Sequence, residues 1–281
     1  MAMRFPTRRA LLLGGTAALA AACARTGAAP DGGAQGGADP VSRFGFEPVE
    51  GYGLIEDGGY RIPPVPPRYL EWPNRRQLVF YEGDEEPGSI VVDPHAKFLY
   101  YILEDGTAWR YPIAVGRAGL ALSGTTVVRR KKEWPGWVPT ANMLRTQPEV
   151  YGPFARGVPG GPASPLGARA LYLYRGRRDS HFRIHGTNDM ASIGNSGSAG
   201  CIRLFNHDII HLYDFVAIPT TVRVRTAEES LRLVGPQFSP RGVELPPVIV
   251  SPETIYGATD VDVEADALPA DDPNGVFTRI N

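Results

Sequence analysis

A thiol and an imidazole stand sixteen residues apart in this chain, within Phe182-Arg183-Ile184-His185-Gly186-Thr187 and Ser198-Ala199-Gly200-Cys201-Ile202-Arg203-Leu204. Cysteine attacks as its thiolate, and an imidazole beside it takes the proton. An ion pair with the protonated ring would then lower the thiol pKa. Cys201 is therefore the candidate nucleophile, and His185 the candidate base and then acid of an acyl transfer. Gly200 allows a tight backbone turn, so that the N–H groups of Gly200 and Cys201 can face a developing oxyanion. Spacing alone does not establish contact, and a buried structural cysteine is the competing reading.

These residues need a scaffold that holds them at strand ends. From Gly88 onward the chain reads as short strands with turn punctuation. The apolar runs are Ser89-Ile90-Val91-Val92 and Phe98-Leu99-Tyr100-Tyr101-Ile102, then residues 108–115 after an Asp105-Gly106 turn, a strong hairpin signal. Further β-like runs cover 125–130, 170–174, 182–185 and 221–224. A helix is expected over 206–216, where Asn206 can cap and Ile209, Ile210, Leu212, Tyr213 and Val216 share a face. A shorter helix is expected from Thr140 and a weaker one over 228–234.

Beyond the dyad, the order His-Gly-Thr, Ile193-Gly194 and Ser-x-Gly-Cys-Ile-Arg-Leu resembles the signature of the L,D-transpeptidase (YkuD-type) catalytic domain. Further similar stretches are Gly88-Ser89-Ile90-Val91-Val92-Asp93, Tyr111-Pro112-Ile113-Ala114-Val115-Gly116-Arg117, Trp134-Pro135-Gly136-Trp137-Val138-Pro139, and Pro159-Gly160-Gly161 through Ala170. The resemblance covers residues 87–226. It implies a mainly β fold, an L,D-transpeptidase-like β-sandwich with one or two helices and a cysteine-bearing catalytic loop. The implied substrate is a peptidoglycan stem tetrapeptide, held as a Cys201 thioester after release of D-alanine. The acceptor would be an amine, from a neighbouring stem or a wall-attached outer-membrane protein. Gly186 would orient His185 through its carbonyl, and Arg203 would organise the loop or hold a substrate carboxylate. Ser198 and Thr187 are further substrate-binding candidates. No cofactor or metal is implied. One position departs from the family pattern: Ala199 stands where many members carry a second histidine. His181, four residues before His185, is a candidate for the same face. Two rivals stay open, a carboxypeptidase or endopeptidase passing the same thioester to water, and a non-catalytic wall-binding module.

The chain has 281 residues, 43% hydrophobic, with a net charge of −1, which argues against nucleic acid as a partner. Residues 1–22 read as an export signal, since Arg4, Arg8 and Arg9 precede an uncharged run too short to span a membrane. Thr7-Arg8-Arg9-Ala10-Leu11-Leu12 is similar to a twin-arginine signal, with the Sec route as the alternative. Leu19-Ala20-Ala21-Ala22-Cys23 resembles a lipoprotein processing site, so Cys23 is either lipidated, the one membrane attachment expected, or bypassed by Ala-x-Ala cleavage. A periplasmic location follows from either. Residues 23–86 are expected as a Gly/Ala/Pro-rich tether and an extended arm, and 87–226 as the catalytic domain. Residues 227–281 are expected as a proline-punctuated acidic tail, mostly disordered. His207 and His211 have the i, i+4 spacing of zinc proteases but read as helix-surface residues. Trp134 and Trp137 are expected to pack in or against the core, with a place in the wall of the substrate cleft as the alternative. The basic run 129–132 is assigned no role.

Overall fold

A computed structural model describes residues 46–116, 119, 122–197 and 201–251. Twelve strands occur among them: β1 Ile55–Asp57, β2 Tyr60–Ile62, β3 Gln77–Phe80, β4 Ile90–Asp93, β5 Phe98–Ile102, β6 Thr107–Pro112, β7 Ala114–Val115, β8 Gly124–Glu133, β9 Arg169–Arg175, β10 Arg178–Thr187, β11 Ile202–Phe205 and β12 Thr220–Val224. The helices are α1 Ala141–Thr146, α2 Pro148–Tyr151, α3 Asn206–Phe215 and α4 Ala227–Val234. β1 and β2 pair with each other, and the other strands form one sheet in the order β3-β6-β5-β4-β12-β8-β9-β10-β11-β7. The expected mainly β class is what is observed. The sheet curls over a shared core, since Ile90, Leu99 and Tyr111 from one half pack in one cluster with Leu171, Ile184 and Ile202 from the other. That closure gives the sandwich its two layers.

Local chemistry accounts for most elements. The β5–β6 hairpin turns at Asp105-Gly106, where Gly106 takes a φ of 75° and the Asp105 carboxylate accepts from the Thr107 N–H and hydroxyl. Thr140 caps α1 through the Met143 N–H, and Thr226 with Glu229 forms a capping box on α4. Asn206 does not cap α3, as had been expected. It is the first helical residue, and its side-chain oxygen accepts from the Ala168 N–H, which ties α3 to the start of β9. Lys131 of the basic run instead serves the other end of α3, donating to the carbonyls of Tyr213 and Val216.

Two segments differ from expectation. The arm is part of the folded body: β3 pairs with β6 at the sheet edge, and Tyr52, Ile62, Val65 and Leu70 are buried. Ion pairs fasten it, among them Asp57 to Arg169 at 2.6 Å, Arg76 to Asp208 at 3.1 Å and Glu85 to Arg223 at 2.8 Å. Residues 227–251, expected within a disordered tail, form α4 and a following strap. The strap is held because Arg241 donates to the carbonyls of Ala96 and Lys97, and its own N–H to the His95 carbonyl. The rest of that tail and the export segment lie outside the described residues.

Candidate active site

Two neighbouring parallel strands carry the dyad. β10 and β11 pair with Ile184 opposite Ile202 and His185 opposite Arg203, so Cys201, just before β11, stands level with Arg183. Ile184 and Ile202 point into the core. Strand alternation therefore turns Arg183, His185, Cys201 and Arg203 to the other face. There His185, Cys201 and Arg203 line one cleft of about 640 Å³.

His185 is buried, and its Nδ1 lies 2.5 Å from the Gly186 carbonyl oxygen. Donating there leaves Nε2 as the basic nitrogen. Burial, with the Arg203 and Arg183 guanidiniums adding to it, pushes the imidazole down to about 3, against the carbonyls of Gly186 and Leu166 that favour the protonated ring. Cys201 is partly exposed. Burial of its sulfur pushes the thiol up, although the Arg183 N–H and the two guanidiniums pull it down. Both directions favour the neutral form of each group. Desolvation without a counter-charge outweighs the hydrogen bonds.

The model of the YkuD L,D-transpeptidase catalytic domain matches residues 87–224. An L,D-transpeptidase reading frame in the ATP synthase subunits region of Fuscovulum blasticum is 35% identical over 139 residues, covering 48% of this chain and 68% of that protein. The chain belongs to the L,D-transpeptidase (YkuD-type) family. A protein described as a probable L,D-transpeptidase, ErfK/SrfK, of Salmonella typhimurium is 37% identical over 151 residues, 53% of this chain and 47% of that protein. The chain thus spans about half the length of the first curated relatives it matches. A solved structure from Brucella melitensis, titled as a carnitine operon oxidoreductase, is 45% identical and covers 54% of this chain and 94% of that one. Its TM-score against this chain is 0.39.

Within this L,D-transpeptidase domain the remaining candidates separate. Arg203 is 9% exposed, and its guanidinium donates to Asp189 at 3.2 Å and to the Gly197 carbonyl at 3.0 Å. These contacts tie Arg203 to residues 189 and 197, ahead of Cys201 in the chain. Burial raises the Asp189 carboxyl against the pull of Arg203. Thr187 is buried and accepts from the Asp189 N–H, and it does not line the cleft, so the expected substrate contact is replaced by a turn contact. Ser198, Gly200 and Cys23 lie outside the described residues. Trp134 packs inside as expected, with its Nε1–H donating to Asp57, whereas Trp137 lines the cleft and corrects the expectation of core packing. His207 is buried, not on the helix surface, because its Nε2 bonds the Gly53 carbonyl of the arm at 2.7 Å. His211 bonds the Tyr111 hydroxyl instead.

Sequence reasoning missed the far wall. The strap lies beside the catalytic loop: the Ser196 N–H donates to Val243 and the Leu245 N–H to Ser196. Glu244, Leu245, Pro247 and Ile249 line the cleft opposite Tyr151 and Leu166. The sequence Glu244-Leu245-Pro246-Pro247-Val248-Ile249 has no alternation of polar and apolar residues and is broken by prolines, so it carries no strand-like signal.

Proposed function

We propose that this chain is a peptidoglycan L,D-transpeptidase working through a Cys201 thioester. The observation that carries the reading is the placement of His185 and Cys201 on one face of adjacent parallel strands, lining a single cleft. Cys201 Sγ attacks the stem-peptide carbonyl before the terminal D-alanine, and its proton passes to His185 Nε2. The tetrahedral oxyanion is held by N–H groups of the loop, that of Gly200 among them. The amide C–N bond then breaks, the departing amine takes the proton from His185, and the stem remains as a thioester. An acceptor amine attacks the thioester, loses its proton to His185, and leaves a new amide while Cys201 recovers its proton. Gly186 keeps the ring in the required tautomer, and Arg203 holds the loop. The acceptor is an amine of a neighbouring stem or of a wall-attached outer-membrane protein.

Export by residues 1–22, with Cys23 as a lipid anchor, would place the enzyme in the periplasm beside that substrate. No described helix is long and apolar enough to cross a membrane.

Intact-mass spectrometry after incubation with a carbapenem tests the dyad, because a thiolate formed in an acyl-donor site opens that ring. A stoichiometric adduct is expected, absent in Cys201→Ala and formed roughly 10²–10⁴-fold more slowly in His185→Ala. An unmodified folded chain that takes no adduct would favour the wall-binding reading. With a tetrapeptide donor, cross-linked dimers mark transfer, and tripeptide without dimer marks the carboxypeptidase.

A further inference from the structure

Resting on the acyl-transfer reading, we propose that His181 is a substrate-binding residue that donates a hydrogen bond to a carboxylate of the acyl donor. His181 lines the same cleft as His185 and Cys201 and is exposed to it.

The backbone beneath it is built for this purpose. Between Asp179 and Arg183, four steps along β10 are opposed by two along β9, so the strand carries a bulge. His181 sits in it with a φ of 60°, a left-handed conformation that a residue with a side chain adopts at a cost and that glycine would take freely. The bulge is braced from several sides. The Asp179 carboxylate accepts from the His181 N–H at 2.8 Å and pairs with the Arg183 guanidinium through both oxygens at 2.7 Å. The Ser180 hydroxyl donates to the Leu173 carbonyl and accepts from the Phe182 N–H. Arg183 closes the bulge, and its N–H bonds the Cys201 sulfur. A strained residue kept in a braced bulge beside a nucleophile is a device for aiming a side chain.

Charge points to what it aims at. The other two cation-forming groups of the cleft have partners of their own: Arg203 holds Asp189 and Gly197, and His185 holds Gly186. His181 stands two residues before Arg183, the level of Cys201, inside the bulge, where four steps of β10 span two of β9, so it lies roughly 3–4 Å along the sheet from that level. A carboxylate one residue from the scissile carbonyl falls within that distance and the length of an imidazole side chain. The stem peptide has three such sources, the terminal D-alanine carboxylate, the carboxylate at the diaminopimelate end and the α-carboxylate left free by the γ-linked D-glutamate.

The test uses the full chain and His181→Gly, His181→Asn and His181→Gln, with thioester formation followed by mass spectrometry. The donors are L-Ala-γ-D-Glu-diaminopimelate-D-Ala and the three peptides in which one of those carboxylates is amidated. The expected result is a KM about tenfold higher in His181→Gly with kcat retained, and a smaller rise in His181→Asn and His181→Gln, whose amide N–H groups can still donate. One amidation should raise the KM of the original protein about tenfold and leave the glycine variant unchanged, which identifies the carboxylate. His181→Gly relieves the backbone while removing the imidazole, so a glycine variant with unchanged KM overturns the proposal. Glycine-variant and amidation effects that simply multiply for all three peptides also overturn it. An original chain that forms no thioester with the tetrapeptide overturns the acyl-transfer reading, and this inference with it.

Discussion

His185 and Cys201 titrate in directions that keep both neutral at rest, burial pushing the ring down to about 3 and the thiol up. The base must be neutral to accept the thiol proton, so its lowered pKa moves the acid limb of the reaction below the range of an ordinary imidazole. Acylation by a carbapenem should therefore change less than about threefold between pH 7 and 5. A ring with its usual pKa near 6.5 would slow the reaction by about 25-fold over the same interval. Stopped-flow rates across that range decide between the two, and a steep loss would mean that His185 is more hydrated in solution than its packing indicates.

Among the elements, the strap has the most to say about activity. Its hydrogen bonds run to Asn195 and Ser196, and Gly197 of the same loop is held by Arg203. Loop and strap thus position each other ahead of Cys201. A chain ending after Ser251 should acylate at the original rate, whereas one ending after Arg241 should fold with unchanged circular dichroism and acylate about tenfold more slowly. Equal rates in the two would show that the strap is a passive wall. The arm is fastened differently, by charge. Asp208 is fully buried and accepts from Tyr52 and Arg76. Removing one member of a buried pair costs about 3–5 kcal/mol, since the partner is left desolvated. Asp208→Ala should lower stability by that order in chemical denaturation, and a change under about 1 kcal/mol would mean that the arm is not held by this pair.

For the whole molecule, buried histidines set the acid side of stability. Burial lowers His207 to about 4, as it lowers His185 to about 3. An unfolded imidazole takes a proton near 6.5, so between 6.5 and those values the unfolded chain binds more protons, and stability falls as the pH falls. Each such group contributes up to about 1.4 kcal/mol per pH unit. Asp208 acts in the opposite sense, because burial raises it to about 6 and the folded form binds its proton first as pH drops toward 3.8. The lowered rings of His185, His207 and His211 outweigh the raised carboxyls of Asp208 and Asp189, and the melting temperature should decline steadily from pH 6.5 to 4.5. His207→Gln should flatten that decline, and an equally steep one would assign the acid sensitivity elsewhere.

Short-range pattern in the sequence determined much of this protein. Continuous apolar runs placed β4, β5 and β9, Asp105-Gly106 placed the hairpin between β5 and β6, and the spacing of Ile209, Leu212 and Val216 placed α3. Residue chemistry and family resemblance singled out His185, Gly186, Cys201 and Arg203, whose described surroundings agree with a common site. Tertiary structure alone decided the rest. Whether a proline-rich arm docks depends on Asp208 and Arg169, more than a hundred residues away. Whether residues 242–249 are tail or wall depends on the open edge of the Ser196 loop. His207 is buried because Gly53 covers it, and the bulge at His181 exists because Asp179 and Arg183 close on each other. Such partners are distant in the chain or indifferent to local periodicity, so only the folded packing brings them together.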